Sequence, residues 1–148
     1  RVTMVQLPAL NTPQFEWSKL RFERHPQPVP PIYEPDVAAE AIRFAADANR
    51  REVWVGGWNV ALGLGNRLAP AIGDRYLART GFDAQFTDEP ASADRPHNLY
   101  EPLPNLARTR GRFGDRARDR SLQLALSRHR RWVIAAGAAA IAAALIAI

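Results

Sequence analysis

Two short apolar runs, "RVTMVQLP" at residues 1–8 and "REVWVGG" at 51–57, flank a single clear helix pattern, and this order constrains the fold more than anything else in the chain. Each run is too short for a helix and is rich in β-branched and aromatic residues, so strands are expected over residues 2–7 and 52–56. The first has little polar alternation, which predicts burial on both faces in the interior of a parallel sheet. Between them, "EPDVAAEAIRFAADANR" places Val37, Ala41, Phe44 and Ala45 on one face at helical spacing, with Asp36 at the amino end and Arg50 and Arg51 beyond the carboxyl end. A helix that crosses from one strand to the next returns the chain in the same direction. The expected unit is therefore βαβ, with the two strands parallel and adjacent.

The exit from the first strand is abrupt. In "VQLPALNTPQF", residues 5–15, Pro8 and Pro13 bracket Asn11-Thr12, and neither proline can donate to a strand ladder. The following "NTPQFEWSKLRFERHPQPVPPIYEP" predicts a short helix near residues 14–23 and then extended chain. "WNVALGLGNRLAPAIGDRYLARTG" reads as a second helical region, interrupted near Pro70 and closed by Gly81. From Asp83 to Ser121 periodicity fades, predicting mostly irregular chain pinned in places by apolar residues such as Leu99 and Tyr100.

Chemistry-bearing patterns are sparse. Cysteine is absent, which removes disulfides, thiolate metal sites and a thiol nucleophile. His25, His97 and His129 stand far apart with no metal-ligand spacing, and surface positions are expected for them. Ser18, Ser92, Ser121 and Ser127 lie in no nucleophile elbow. "GLGNRL" at 63–68 has leucine where a dinucleotide fingerprint needs its third glycine, and its glycines fall inside a helical stretch, so they read as structural.

The net charge of +5 is concentrated near the end, in "ARTRGRFGDRARDR" and "SRHRR", and Lys19 is the sole lysine. Asp115 and Asp119 interleave the arginines, and beyond Phe113 no aromatic platform accompanies them. That pattern favours a solvated or lipid-headgroup-facing segment over nucleic acid. From Trp132 to Ile148 no charged residue occurs and alanine dominates, which predicts a helix about 25 Å long. With Arg128, Arg130 and Arg131 before it, one reading is a membrane anchor held in a bilayer; the other is an alanine-rich helix packed on protein or lying along a surface.

The ordered set of strand, Asn-Thr-Pro turn, proline-rich segment, "PDVAAEAIRFA" helix and "REVWVG" strand resembles the carboxyl-terminal part of a short-chain dehydrogenase/reductase over about residues 2–82. The extension "GFDAQFTDEP" followed by "DRPHNLYEP" is similar to bacterial members of that family. The resemblance implies an α/β fold: residues 1–82 as the distal part of a doubly wound, Rossmann-type parallel sheet, then an irregular Arg/Pro-rich extension over 83–120, and a basic then hydrophobic helix over 121–148. It also implies NAD or NADP as cofactor, with the backbone near Leu10 at the nicotinamide carboxamide and the Thr12 hydroxyl reaching the carboxamide or the diphosphate. The bland alternative for Thr12 is a turn residue that caps the next helix. Residues 14–34 would form a substrate lid, in which Phe15, Trp17, Leu20 and Phe22 line an apolar pocket, although packing of an amphipathic helix accounts for the same pattern. Leu7-Pro8 stands where the family carries Pro-Gly.

The family's Tyr-x-x-x-Lys pair is not in this sequence: Phe15 is four residues before Lys19. Nor is the glycine-rich phosphate loop. The chain opens at Arg1 directly on a strand, which reads as a reductase domain cut internally. The expectation is a distal reductase portion that lacks activity alone, is completed by an amino-terminal half, and is cytoplasmic with or without attachment to a membrane through residues 132–148. The competing expectation is a non-enzymatic, tail-anchored or peripheral protein whose arginines bind anionic lipid or nucleic acid.

Overall fold

The computed structural model describes residues 2–92 and 94–146. It is a mixed α/β arrangement with six helices and small, largely parallel sheets. Strand β1 (Met4–Gln6) pairs in parallel with β5 (Glu52–Trp54), in the register Met4 to Glu52, Val5 to Val53 and Gln6 to Trp54. Backbone bonds from Met4 N–H to Arg51 C=O (2.9 Å) and from Val55 N–H to Gln6 C=O (3.0 Å) extend the ladder at both ends. The parallel, adjacent pairing expected of these two strands is present.

Helix α2 (Pro35–Asp47) provides the crossover and buries the face expected of it. Proline fits at its first position because an amide there has no intrahelical acceptor, and Val37, Ala38, Ala41 and Ala45 point inward. Val37, Ala41 and Ala45 meet Tyr33, Val53, Val55 and Leu124, with Val5, Leu10 and Phe44 packed around that cluster. Small alanines on α2 let the helix approach β1 and β5 closely, so a compact core is made from few large side chains.

The expectation for β1 itself needs correction. It is not an interior strand: Met4 is 52% exposed, and β1 has a single neighbour among the described residues. Its apolar composition fits burial on both faces, but the second cover is not supplied by the described chain. Pro8 then interrupts it, and β2 (Ala9–Leu10) pairs in parallel with β4 (Ile32–Tyr33).

Two further expectations are revised. The helix near 14–23 is a single turn, α1 (Gln14–Trp17), ending where Ser18 turns extended at ψ 143°. Beyond it the chain makes β3 (Arg24–Pro26), which runs antiparallel to β6 (Phe86–Pro90), a strand inside the stretch expected to be irregular. Cross-strand partners supply what local pattern did not. Leu99 and Tyr100 do not pin that stretch: they are 57% and 79% exposed.

The remaining helices are α3 (Gly57–Leu68), α4 (Pro70–Thr80), α5 (Leu122–Arg128) and α6 (Arg130–Ile146). The break at Ala69–Pro70 and the end at Gly81 fall where proline and glycine predicted. Gly63 lies within α3, and a Cβ there would stand 2.5 Å from the Trp54 ring, so its absence lets α3 sit against β5. This is the structural role expected of that glycine. Gly56, at the exit of β5, has φ of 84°, a left-handed conformation that favours glycine.

Candidate cofactor-facing cleft

The site is built by the way β2 stops. Asn11 N–H donates to Tyr33 C=O (2.8 Å), the last rung beside β4, and Thr12 N–H folds back onto Leu10 C=O (2.9 Å). Pro13 then starts α1. The result is a tight turn at the carboxyl end of β2, held between two prolines. Leu10, Thr12 and Phe15 line an open cleft of about 460 Å³ together with Pro8, Gln27 and Pro28 among others. Its lining carries no charged side chain. The Thr12 hydroxyl makes no hydrogen bond among the described residues, and α1 has no side-chain cap, so the capping alternative for Thr12 is not realised.

Of Phe15, Trp17, Leu20 and Phe22, the structure brings only Phe15 to this cleft, where Gln14, Gln27, Pro28 and Val29 of the expected lid segment also stand. Trp17 is half-buried and its carbonyl accepts from Asn98 N–H (2.9 Å). Leu20 is buried, while Phe22 is half-exposed and stacks edge-on with Phe82 and Phe86, at centroid distances of 5.7 and 5.0 Å. Phe15 and Phe22 therefore serve separate packings, and α1 ends at Trp17, before Leu20 and Phe22.

Behind the turn lies an element the sequence did not announce. Asn11 is 1% exposed, and its side chain donates to Glu34 Oε1 (3.1 Å) and accepts from Phe113 N–H (3.0 Å). Its own carbonyl accepts from Gly111 N–H (3.0 Å). One asparagine thus ties the end of β2 to the start of α2 and to the arginine-rich segment, which comes back across the fold as a strap. Gly111 is required by this approach: a Cβ there would lie 2.6 Å from Thr12 O. Phe113 is buried against the Phe15 ring at 6.1 Å. Further on, Arg118 N–H donates to Ile32 C=O and its carbonyl accepts from Glu34 N–H, each at 2.9 Å, adding a parallel bridge beside β4.

The strap's arginines are matched to carboxylates of the fold. Arg108 pairs with Glu16, Arg112 with Glu89, and Arg110 with Asp36 (2.6 Å) and Glu34 (3.5 Å). The Asp36 carboxyl is held below its usual range by the hydrogen bond and charge of Arg110, and Arg110 is raised in turn by the same contact. Arg116 donates to Gln27 Oε1 (2.9 Å), and Gln27 Nε2 donates to the carbonyls of Ala84 (3.2 Å) and Phe86 (2.8 Å), so a cleft wall is fixed to both the strap and the start of β6. Arg95 donates to the carbonyls of Phe15 (3.1 Å) and Ser18 (2.6 Å) and meets His25 Nε2 at 3.1 Å, and burial lowers its pKa, with Glu16 opposing. His25 is consequently half-buried rather than a plain surface residue.

Asn11, Gln27, Gly111 and Phe113 were missed as site-building residues. The available signal was the Asn-Thr pair between prolines and the Gly-x-Phe interruption of an arginine run. Among the described residues no group of three or more His, Asp or Glu is arranged to hold a metal ion.

No protein-family model matches the chain, and no solved structure matches it. It is similar to the uncharacterized oxidoreductase YxnA of Bacillus subtilis (strain 168), 27% identical over 101 residues that make up 68% of this chain and 28% of that protein. The chain thus spans less than a third of the relative it matches, and the likeness supports an oxidoreductase relationship at the coarsest level.

Proposed function

We propose that this chain forms the distal part of an NAD(P)-dependent oxidoreductase domain of the short-chain dehydrogenase/reductase type, and that the Leu10–Thr12 turn faces the nicotinamide end of the cofactor. The observation that carries the reading is the parallel β1–α2–β5 crossover, continued by a second parallel pair, β2–β4, with the Leu10–Thr12 cleft off the carboxyl end of β2. Open parallel sheets bind ligands there. The residues present fit one half of such a cofactor. A neutral cleft with an uncommitted threonine hydroxyl and nearby backbone groups suits an uncharged carboxamide, whereas the diphosphate calls for a glycine turn or cations that the cleft lining lacks. When bound, the cofactor supplies hydride. The chain's own part is to orient the ring through Thr12 and the Leu10 backbone and to keep water from it with Phe15.

On this reading the open edge of β1 pairs with strands that bear the phosphate loop and the Tyr-x-x-x-Lys pair, and the chain alone transfers no hydride. Nicotinamide mononucleotide titrated into isotope-labelled protein should shift the amides of Leu10, Asn11 and Thr12 at millimolar concentration, and Thr12→Val should abolish the response. Shifts confined to other regions, no shifts at all, or appreciable carbonyl reduction by this chain alone would overturn the proposal.

The arginine-rich segment supports a nucleic-acid reading poorly, since Arg108, Arg110 and Arg112 already face carboxylates of the same fold. Phosphate contacts would have to displace those pairs.

A further inference from the structure

Helix α6 is apolar on all sides: no charge follows Arg131, and Trp132, Ile134, Ile141 and Leu145 are each about two-thirds exposed. A groove on a protein partner covers one face of a helix and leaves the others in water. A medium that surrounds the helix covers them all. Its 17 residues reach about 25 Å, of which the stretch beyond Arg131 is about 22 Å, and no single described helix is long and apolar enough to cross a membrane, but α5 and α6 pass that test as a pair bent by 86°.

The bend is what makes the pair informative. Helix α5 is bolted to the domain: Leu124 is 2% exposed within the core, Arg50 donates to Ser127 Oγ (2.7 Å) and Ser127 C=O (2.6 Å), and Arg128 pairs with Glu40 on α2. On its outer side Leu122 and Leu126, one helical turn apart, are 75% and 48% exposed. At the elbow, Arg130 and Arg131 make no ion pair among the described residues, and Arg131 lies over the Trp132 ring at 5.6 Å. Burial lowers the pKa of Arg50, and the charge of Arg130 adds to the effect, so cations gather at this corner without a matching carboxylate for Arg130.

We propose that the α5–α6 elbow is a right-angle mount on an anionic bilayer: α6 enters the hydrocarbon along the membrane normal, α5 lies flat at the headgroups on Leu122 and Leu126, and Arg130 and Arg131 bind lipid phosphates between them. An arginine beside tryptophan at an interface has the chemistry for that position. Because α5 also packs into the core, the mount fixes the orientation of the whole domain on the membrane. This inference does not depend on the proposed cofactor reading.

The absence of cysteine makes depth measurable. Single variants Leu126→Cys and Ala144→Cys of the full chain, labelled with an environment-sensitive fluorophore, are reconstituted with vesicles of phosphatidylcholine containing one-quarter phosphatidylglycerol. Lipids brominated near the headgroup should quench the label at position 126, and those brominated near the chain end the label at 144. Arg130→Gln with Arg131→Gln should weaken binding roughly 25-fold on anionic vesicles, about fivefold per charge removed, and change little on neutral ones. Leu122→Ser added to the Leu126→Cys variant should weaken quenching of the label at 126, while the same change added to Ala144→Cys leaves the label at 144 inserted. Equal quenching depth at both labels, a water-exposed label at 144, or loss of binding that ignores lipid charge overturns the mount. So does concentration-dependent self-assembly through α6 with no response to vesicles, which would name a second copy of the chain as its partner.

Discussion

Replacing Asn11 with alanine is the most direct test of how the cleft is held. The side chain makes two hydrogen bonds at 3.0 and 3.1 Å from a fully buried position. Its loss orphans the Phe113 N–H and takes one donor from Glu34, which keeps only the flank of Arg110 at 3.5 Å. An orphaned buried donor costs about 1–3 kcal/mol and a lost hydrogen bond to a charged group about 1.5–3 kcal/mol, partly recovered where water enters. The sum is about 2–4 kcal/mol, a large share of the roughly 5–15 kcal/mol that holds a domain together. In urea, with a slope of about 1.5 kcal/mol per M, the midpoint should fall by about 2 M. Trypsin should cut earlier at Arg110, Arg112 and Arg116, because the strap loses its central anchor. Asn11→Asp is the control: it keeps the acceptor for Phe113 N–H but sets a carboxylate against Glu34, so its deficit should shrink in mild acid as one of the pair takes a proton. If Asn11→Ala unfolds within about 0.5 kcal/mol of the parent and is cleaved with the same pattern, the strap is not fastened through this residue.

Gly111→Ala should cost about 1–3 kcal/mol in the same titration, since its Cβ would meet Thr12 O at 2.6 Å and backbone cannot step aside. Gly56→Ala should cost about 1–2 kcal/mol, from φ of 84° together with the Tyr33 ring at 3.4 Å. Val53→Ala removes two buried methyl groups from a site 1% exposed and should lower stability by about 2–3 kcal/mol, with no change in the tryptic pattern of the strap. The Asp36–Arg110 pair predicts a pH dependence whose sign is fixed: the folded carboxyl lies below its unfolded value, so its contribution is complete above about pH 5, well clear of an unfolded value near 4, and is lost as pH falls through the lower folded value. The difference in urea midpoint between the parent and Asp36→Asn should therefore be flat at neutral pH and vanish in acid.

The strand–helix–strand unit was legible because each part has its own local period, and a crossover helix between short strands leaves parallel pairing as the economical outcome. The turn at Asn11-Thr12 was legible from its prolines. What joins it to the rest was not, because the Asn11–Phe113 contact spans 102 residues and uses a side chain against a backbone amide, a pairing no periodicity encodes. The β3–β6 ladder was hidden for a similar reason: strands of three and five residues, both ending in proline, form only when each supplies the other's acceptors. Phe15, Trp17, Leu20 and Phe22 do not come together, because at about 100° per residue Phe15 and Phe22 fall on one side of a helix and Trp17 and Leu20 on the other, and Ser18 ends the helix after one turn.

Charge distribution separates the two ends of the molecule. Taken as a total, +5 suggests a surface that attracts anions everywhere. The strap instead places its arginines against Glu16, Glu34, Asp36 and Glu89, so much of the basic excess serves to hold an irregular segment in place. The cleft beside Thr12 is left neutral, which suits an uncharged group and disfavours a phosphate. Arg130 and Arg131, at the far elbow, are not drawn into that network. Raising salt should accordingly weaken association of the α5–α6 corner with anionic vesicles while leaving any contact between the Leu10–Thr12 turn and a nicotinamide ring unchanged.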